Sequence, residues 1–273
     1  MAKAMRMMEE NVKLCDAVVF VLDARAPAAT YNQKLQAIAG SRPVLYLFNK
    51  WDLGSADALL AAVKGAGKAV CPLDATSPRG KNALMAAMNA VVSEKAQRLK
   101  EKGMARPLRF LVAGVPNTGK STVINLLSGA KRAVTGDKAG VTRSKQWVKC
   151  GAFDLMDTPG TMPPSFADQT LARRLAYIGS VNDDILELDE IALALLEDLS
   201  ALAPAALSER YGIEGGTPLQ MLEKVCIRRG FLLKGDEYDY ERGERALIDD
   251  FRKGKLGRIT FDSAEDLKNA GLI

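Results

Sequence analysis

The sequence predicts an α/β protein with a mostly parallel sheet, followed by a smaller domain made of helices. Short apolar runs alternate with helical stretches up to about residue 165, and this alternation is typical of βαβ units. After that point helical spacing continues without strands between the helices. With 273 residues and 48% hydrophobic content, the chain can bury a core in each part. We therefore predict two domains, at residues 1–165 and 166–273.

Each predicted strand is a short apolar run bounded by polar or turn residues. The strands span 17–22, 43–48, 69–73, 108–113, 146–149 and 153–156. Helical spacing in the first domain covers 2–14, 32–39, 56–64, 82–101 and 121–127. In the second domain it covers 171–178, 184–202, 218–229 and 241–253. The charged stretch 95–106 is interpreted as a connector between the two halves of the sheet.

Charge is distributed unevenly along the chain. Residues 54–165 carry 17 Lys and Arg against 7 Asp and Glu, whereas residues 166–220 carry 3 against 10. A basic first domain favours a polyanionic partner such as RNA, although part of that charge would face a phosphate-bearing ligand.

Other counts exclude several classes of function. The four cysteines are far apart and form no C-x-x-C pair, so neither a zinc module nor a disulfide framework is predicted. Histidine is absent, which removes the commonest general base. No apolar run approaches the roughly 18 residues of a spanning helix, so we expect no membrane contact and a cytoplasmic location.

A glycine-rich segment joins the strand 108–113 to the helix after it. It reads Gly114-Val115-Pro116-Asn117-Thr118-Gly119-Lys120-Ser121 and fits the phosphate-loop pattern G-x-x-x-x-G-K-[ST]. We expect Lys120 to reach the β- and γ-phosphates in a binding and catalytic role, and the Ser121 hydroxyl to ligate magnesium. The predicted nucleotide contacts here are Pro116, Asn117, Thr118, Gly119, Lys120, Ser121 and Thr122.

Two further segments are predicted to complete the phosphate site. Asp157-Thr158-Pro159-Gly160 has the form D-x-x-G, so Asp157 is placed to hold magnesium and the Gly160 N–H to meet the γ-phosphate. Between the two motifs, Thr142 is predicted to be a metal ligand with a catalytic role. A threonine in a loop is usually only a loop residue, and it is the position of Thr142 that favours this role.

The tetrapeptide Asn49-Lys50-Trp51-Asp52 fits the guanine-recognition pattern N-K-x-D at the end of a predicted strand. Asp52 can accept two hydrogen bonds from guanine, which adenine does not offer, and the stem of Lys50 can cover the base. Asn49 is included in the binding set. Ala75 and Thr76, after the next strand, are predicted to line the O6 side of the base.

Asn117 has two explanations of equal weight. Its amide oxygen could coordinate a monovalent cation beside the phosphates, giving a positive charge where some phosphate-transferring enzymes place an arginine finger. Asparagine is also a tolerant turn residue. We include Asn117 among the predicted catalytic residues.

The guanine-recognition pattern precedes the phosphate loop, which is the reverse of the usual order in a Ras-like domain. This order resembles the circularly permuted GTPases, and in particular the YlqF/RbgA family of ribosome-assembly GTPases. The resemblance covers nearly the whole chain. The segments that add to it are Met1-Ala2-Lys3-Ala4, Asp23-Ala24-Arg25-Ala26-Pro27, Gly140-Val141-Thr142 and the helix within 179–199. The predicted fold is therefore a circularly permuted P-loop GTPase domain with a smaller helical domain.

The resemblance implies GTP and GDP as substrate and product, Mg²⁺ as cofactor and K⁺ as a stimulating ion. It also implies that the partners are a large (50S) ribosomal subunit precursor and its rRNA, with a monomer off the ribosome. The chain departs from the family in two places: Asp74 stands where serine is usual, and the sequence starts at Met1 without the Gly-His pair that the family has just before this stretch. In addition, Thr161 stands where Ras-like enzymes have the glutamine that orients water.

Two other functions remain open from the residues alone. One is a regulatory GTP-binding module for a protein partner, with little hydrolysis of its own. The other is an adenine-specific P-loop enzyme such as a kinase, for which the 49–52 segment would be a polar turn. Stimulation by ribosomal subunits separates the first from an assembly GTPase, and competition by ATP separates the second.

Overall fold

Six strands form one sheet in the computed structural model, which describes residues 2–129, 146–162, 168–235 and 237–273. The strands are β1 (Ala17–Asp23), β2 (Val44–Asn49), β3 (Ala69–Leu73), β4 (Leu108–Ala113), β5 (Gln146–Cys150) and β6 (Phe153–Asp157). Their order is β3-β2-β1-β4-β6-β5, and all neighbours are parallel except β5, which is antiparallel to β6. The predicted mostly parallel sheet is confirmed.

The centre of the sheet joins the two halves of the permuted chain. Ala17 of β1 pairs with Phe110 of β4, and Phe20 pairs with Ala113. Every residue of β1 is buried, because helices cover both faces of a parallel sheet. The carboxyl ends of β3, β2, β1, β4 and β6 therefore lie side by side. The N-K-x-D segment starts at the end of β2, the phosphate loop at the end of β4 and the D-x-x-G segment at the end of β6, while Ala75 and Thr76 follow β3.

The first helix of the first half precedes β1, and the others lie between successive strands. They are α1 (Ala2–Val12), α2 (Pro27–Thr30), α3 (Gln33–Ala39), α4 (Asp57–Gly65), α5 (Lys81–Val91), α6 (Ser93–Glu101) and α7 (Lys120–Ser128). The prediction of a single helix over 82–101 is wrong, because the helix is interrupted at Val92. Its backbone leaves the helical region (φ −107°, ψ 11°) while its side chain is buried in the core.

The second half is helical, as predicted. Its helices are α8 (Gln169–Tyr177), α9 (Leu188–Leu202), α10 (Pro204–Tyr211), α11 (Pro218–Arg229), α12 (Tyr240–Arg252) and α13 (Ala264–Asn269). The predicted helix 184–202 is shorter, because a 3₁₀ turn over Asp183–Ile185 precedes α9. Helices α2, α10 and α13 were not predicted, because they have eight residues or fewer and show little helical periodicity of apolar residues.

No single helix within the described ranges is long and apolar enough to cross a membrane. The pair α9 and α10 meets the length and composition criteria jointly, with a bend of 115° between the two helices.

The two halves pack against each other closely. Three small residues of the first half, Ala26, Ala29 and Val115, are buried in the hydrophobic cluster of the helical part. In return, Leu267 and Leu272 are buried in the cluster that covers one face of the sheet. The chain thus passes through the helical part and returns to the first half near its end. The boundary near residue 165 stays a prediction.

Candidate nucleotide-binding site

The phosphate loop has the backbone conformations that its sequence predicts. Gly114 and Gly119 have φ of +156° and +92°, and Asn117 has φ +58°, a region that asparagine tolerates better than most residues. A Cβ on Gly114 would lie 2.5 Å from the Val21 carbonyl oxygen, and one on Gly119 would collide with the Asn49 amide. Both glycines are therefore required by close packing as well as by the turn.

Lys120 stands at the first position of α7, and its side chain is almost fully buried. Its ammonium donates to the Val115 carbonyl oxygen at 2.7 Å, inside the loop. Burial lowers the pKa of Lys120 to about 8, against the opposing pull of the Asp157 carboxylate. The loop thus holds a cation that is poorly solvated until phosphate oxygens reach it.

The Ser121 hydroxyl, in the first turn of α7, lies beside the carboxylate of Asp157, the last residue of β6. The Ser121 hydroxyl donates to Asp157 Oδ2 at 2.9 Å, and Asp157 is 2% exposed. A hydroxyl and a carboxylate are hard oxygen ligands, and Mg²⁺ usually takes one or two such protein ligands and completes its shell with phosphates and water. The described residues contain no cluster of three or more His, Cys, Asp or Glu, so this pair fits magnesium held jointly with a nucleotide.

Gly160 lies directly against the phosphate loop. A Cβ there would lie 2.7 Å from the backbone nitrogen of Pro116, so only glycine allows this approach. Thr161, which follows it, is buried, and its N–H donates to the Gly114 oxygen at 3.3 Å. Thr161 therefore packs beneath the loop and does not line the cleft. Thr142, the predicted metal ligand, lies outside the described residues.

Asn49 connects the two loops that flank it. Its Nδ2 donates to the Thr118 oxygen at 2.8 Å, and its Oδ1 accepts from the Ala75 N–H at 3.1 Å. The side chain is buried between the phosphate loop and the 74–76 loop. Asn49 therefore has a structural role: it fixes the distance between the loop predicted to hold phosphates and the loop predicted to meet the base.

Lys50 and Asp52 follow Asn49 at the edge of the cleft. Lys50 has φ +56°, and its ammonium donates to the Asn117 oxygen at 2.6 Å. Burial raises the pKa of Asp52, and the negative charge of Asp74 raises it further. Asp74 itself accepts two hydrogen bonds from Thr76, from the N–H at 2.8 Å and the hydroxyl at 2.6 Å.

These loops enclose a cleft of about 390 Å³. Its walls contain most of the predicted base and phosphate contacts, which are Asn49, Lys50, Asp52, Ala75, Thr76, Asn117, Gly119 and Thr122. The structure therefore brings together residues from three segments, 49–52, 75–76 and 117–122, that together span more than 70 positions of the chain. Their roles toward a nucleotide stay predictions, supported by this common location.

A buried ion pair between Arg25 and Asp23 lies beside the cleft, and the sequence patterns did not predict it. Arg25 donates from Nε and Nη2 to the two carboxylate oxygens of Asp23, at 2.9 and 2.7 Å. The Lys50 ammonium nitrogen lies 3.1 Å from Asp23 Oδ2. Burial alone would raise the pKa of Asp23, but the two cations hold it well below its usual range. The position of Asp23 could have indicated a role in the site, because it ends a buried strand next to the strand that ends at Asn49.

The helical half also contributes to the cleft, which local patterns did not predict. Ile178, Asp249, Arg252 and Lys253 complete its walls. The phosphate loop touches the same half directly: Asn117 Nδ2 donates to the Gly179 oxygen at 3.3 Å, and the Ser180 hydroxyl donates to the Pro116 oxygen at 2.8 Å.

The mostly parallel sheet carries this loop at the end of β4, a lysine and a magnesium-type pair beside it, and an N-K-x-D segment at the end of β2, two strands away. Together these features define a guanine-nucleotide-binding P-loop GTPase. Because β1–β3 precede the phosphate loop in the chain, the domain is circularly permuted. A family model described as 50S ribosome-binding GTPase matches residues 109–204.

Similar proteins extend this match to nearly the full chain. Ribosome biogenesis GTPase A of Bacillus cereus is 35% identical over 274 residues, which covers 97% of this chain and 92% of that protein. The protein of the same name from Thermotoga maritima is 29% identical, with 97% and 92% covered. The chain belongs to the ribosome biogenesis GTPase A (YlqF/RbgA) family, as the motif order indicated.

Solved structures agree with this assignment. A GDP-bound YlqF structure superposes with a TM-score of 0.65 at 26% identity, covering 95% of this chain and 100% of that one. A GNP-bound YlqF from Thermotoga maritima gives a TM-score of 0.62 at 28% identity, covering 97% and 99%. The predicted fold class is confirmed.

The lowered pKa of Lys120 predicts that nucleotide binding takes up a proton in alkaline solution. In the nucleotide-free protein Lys120 loses its proton near pH 8, whereas bound phosphates favour the ammonium form. Below pH 7 the lysine is charged in both states, and above pH 8 affinity should fall by up to about tenfold per pH unit. Calorimetric GDP titrations in two buffers of different ionisation enthalpy should show an uptake approaching one proton at pH 9.

The control for this prediction is Lys120→Arg, which keeps a charge but does not deprotonate in this range. Its proton uptake at pH 9 should be close to zero, and the difference between the two proteins isolates Lys120. Equal uptake by the two proteins would contradict the assignment.

Proposed function

We propose that this protein hydrolyses GTP as an assembly factor for the large ribosomal subunit and contacts rRNA through its helical half. The observation that carries the proposal is the direct contact between the phosphate loop and the helical half, through Asn117 and Ser180. A ligand at the phosphate loop can therefore bias how the helical half is held. Curated relatives with this full-length arrangement are named ribosome biogenesis GTPases.

The permuted order strengthens this coupling. Gly160 packs on the phosphate loop, and only a few residues separate it from α8 at Gln169. In an unpermuted domain the same segment would lead back into the sheet. Ordering of the D-x-x-G segment by the γ-phosphate would thus act on the helical half through a short connection.

A basic aromatic cluster on the helical half supports contact with RNA. The guanidinium carbons of Arg242 and Arg229 lie 4.4 and 5.7 Å from the centroid of the Phe231 ring. With Arg245 they line a cavity of about 440 Å³ beside α12. Arginine planes and an aromatic ring are the groups on which unstacked RNA bases stack, and the arginines also attract phosphates.

Magnesium at Ser121 and Asp157 is part of this proposal, as is a potassium ion near Asn117. Magnesium would offset charge on the β- and γ-phosphates when bound, while Lys120 supplies a second positive charge. Equal hydrolysis rates in potassium and sodium chloride would contradict the potassium part. A cytoplasmic monomer off the ribosome stays a prediction.

The decisive experiment measures GTP turnover and subunit binding together. Large-subunit particles should raise turnover at least about tenfold, and the protein should sediment with them more strongly with a non-hydrolysable GTP analogue than with GDP. Unchanged turnover with added particles would favour a regulatory module instead. Equal sedimentation in both nucleotide states would contradict the proposed cycle.

The RNA contact is tested with the double variant Arg229→Gln and Arg242→Gln. Loss of two cations and their stacking should lower affinity for large-subunit particles by about tenfold or more, and the defect should shrink at high salt. Arg98→Gln, an exposed arginine of α6 paired only with Glu94 among the described residues, is the matched control. An affinity equal to that of the control would place the RNA contact elsewhere.

A further inference from the structure

The loop that carries Asp52 is held from outside by a distant part of the chain. We name residues 252–260, which follow the body of α12, the C-terminal strap. Three consecutive strap residues bind three consecutive positions of the loop. The bonds run from Ile259 N–H to the Leu53 oxygen (3.0 Å), from Arg258 Nε to the Gly54 oxygen (2.7 Å) and from Ser55 N–H to Thr260 Oγ1 (2.8 Å).

Side chains add to these bonds. The Arg258 guanidinium carbon lies 5.7 Å from the centroid of the Trp51 ring, and an Arg258 nitrogen lies 3.5 Å from Asp57 Oδ2. Gly254 has φ +72°, and a Cβ there would lie 2.6 Å from Leu53 Cδ2. The strap thus covers the loop on both sides of Asp52, at Trp51 and at Leu53.

Asp52 itself has no comparable support. Within the described ranges its carboxylate forms no hydrogen bond to another residue, and the side chain is exposed at the cleft. Its position therefore depends on the backbone of its two neighbours. Base recognition by two parallel hydrogen bonds tolerates little displacement, since both must keep distances near 2.9 Å.

We propose that Arg258 is a positioning residue for base recognition. It holds the loop so that the Asp52 carboxylate meets the guanine edge, and it makes nucleotide affinity depend on docking of the strap. The inference rests on the proposed role of Asp52.

The proposal has a thermodynamic consequence. The strap continues directly from α12. The buried Arg25 donates to the Arg252 oxygen at the start of the strap and to the Ile178 oxygen of the helical half, at 3.4 Å each. Arg25 therefore connects the strap to the helical half. Any surface that draws this part away from the loop must weaken nucleotide binding by the same factor by which the nucleotide strengthens docking. A partner that draws the strap away from the loop would thereby lower the affinity for nucleotide.

The test uses the full chain with Arg258→Gln and, as control, Arg98→Gln. Arg258 is about half exposed, so the substitution leaves the core intact. We expect GDP release about tenfold faster than in the control, measured with a fluorescent GDP analogue. The preference for GDP over IDP should fall about three- to tenfold, because inosine lacks the 2-amino group that the second Asp52 hydrogen bond needs.

Arg258→Lys separates geometry from charge. Lysine keeps a positive charge near Asp57 but lacks the planar fork that binds the Gly54 oxygen and covers Trp51. It should reproduce most of the defect. Full rescue by lysine would overturn the positioning role, as would a lower melting temperature with unchanged GDP:IDP preference.

Asp52→Asn distinguishes the two ways in which the proposal can fail. If Asp52→Asn does not change base preference, the proposed base-reading site is wrong, whatever Arg258 does. If Asp52→Asn behaves as expected but Arg258→Gln matches Arg98→Gln in release rate and GDP:IDP preference, the strap inference is overturned and the GTPase proposal stands.

Discussion

Replacing Asp52 by asparagine should change the base preference of this protein from guanine to xanthine. A carboxylate accepts hydrogen bonds from the N1–H and 2-amino group of guanine, whereas an amide must donate one and so suits xanthine, whose carbonyl replaces the amino group. Sites that discriminate by buried hydrogen bonds lose about 10² to 10⁴ in affinity when the pairing is wrong. Competition of GTP, XTP and ATP against a bound fluorescent guanine nucleotide measures the change directly.

The matched control for that variant is Asp74→Asn. Asp74 lines the same cleft, and its charge raises the pKa of Asp52, so its removal should slightly favour the ionised form of Asp52. Its carboxylate is already occupied by Thr76. We expect guanine preference to persist in Asp74→Asn. ATP competing as well as GTP against the unmodified protein would exclude guanine recognition by this loop altogether.

Lys120→Ala should abolish nearly all nucleotide function while leaving the fold intact. The buried ammonium supplies positive charge at the place where the β- and γ-phosphates are predicted to bind, and such charges act strongly in a site shielded from water. GTP affinity and turnover should each fall on the order of 10³-fold. Nucleotide titration and single-turnover hydrolysis with radiolabelled GTP give the two values.

The same variant should not lower the melting temperature of the nucleotide-free protein. Burial has already lowered the pKa of Lys120 to about 8, which shows that the folded state holds this charge at a cost. Removing it relieves that cost but also removes the hydrogen bond to the Val115 oxygen, so the melting temperature should change little. Lys100→Ala, on the exposed face of α6, is the control and should change neither property. A large loss of stability in Lys120→Ala would show that the lysine is structural.

Much of the first half could be predicted because its signals are local. Strands such as Ala17–Asp23 and Leu108–Ala113 are short apolar runs, and each recognition motif begins where such a run ends. Predictions failed where packing overrides periodicity. The helical spacing over 82–101 continues through Val92, but the backbone of that buried residue leaves the helical region and divides the stretch into α5 and α6.

The sequence alone determined the class of protein, the reversed order of its motifs and the residues expected to meet the nucleotide. These follow from short patterns whose chemistry depends on neighbouring residues, such as glycines with positive φ before a helix. Only the tertiary structure decided what surrounds that site. Arg252 and Arg258 lie in no motif, and Arg25 lies in a segment to which the sequence assigned no contact; their roles arise because β1 pairs with β4 and the chain returns to the loop at Leu53. Contacts across some 200 positions leave no periodic signal, because nothing in the local chain records which distant carbonyl a guanidinium will bind.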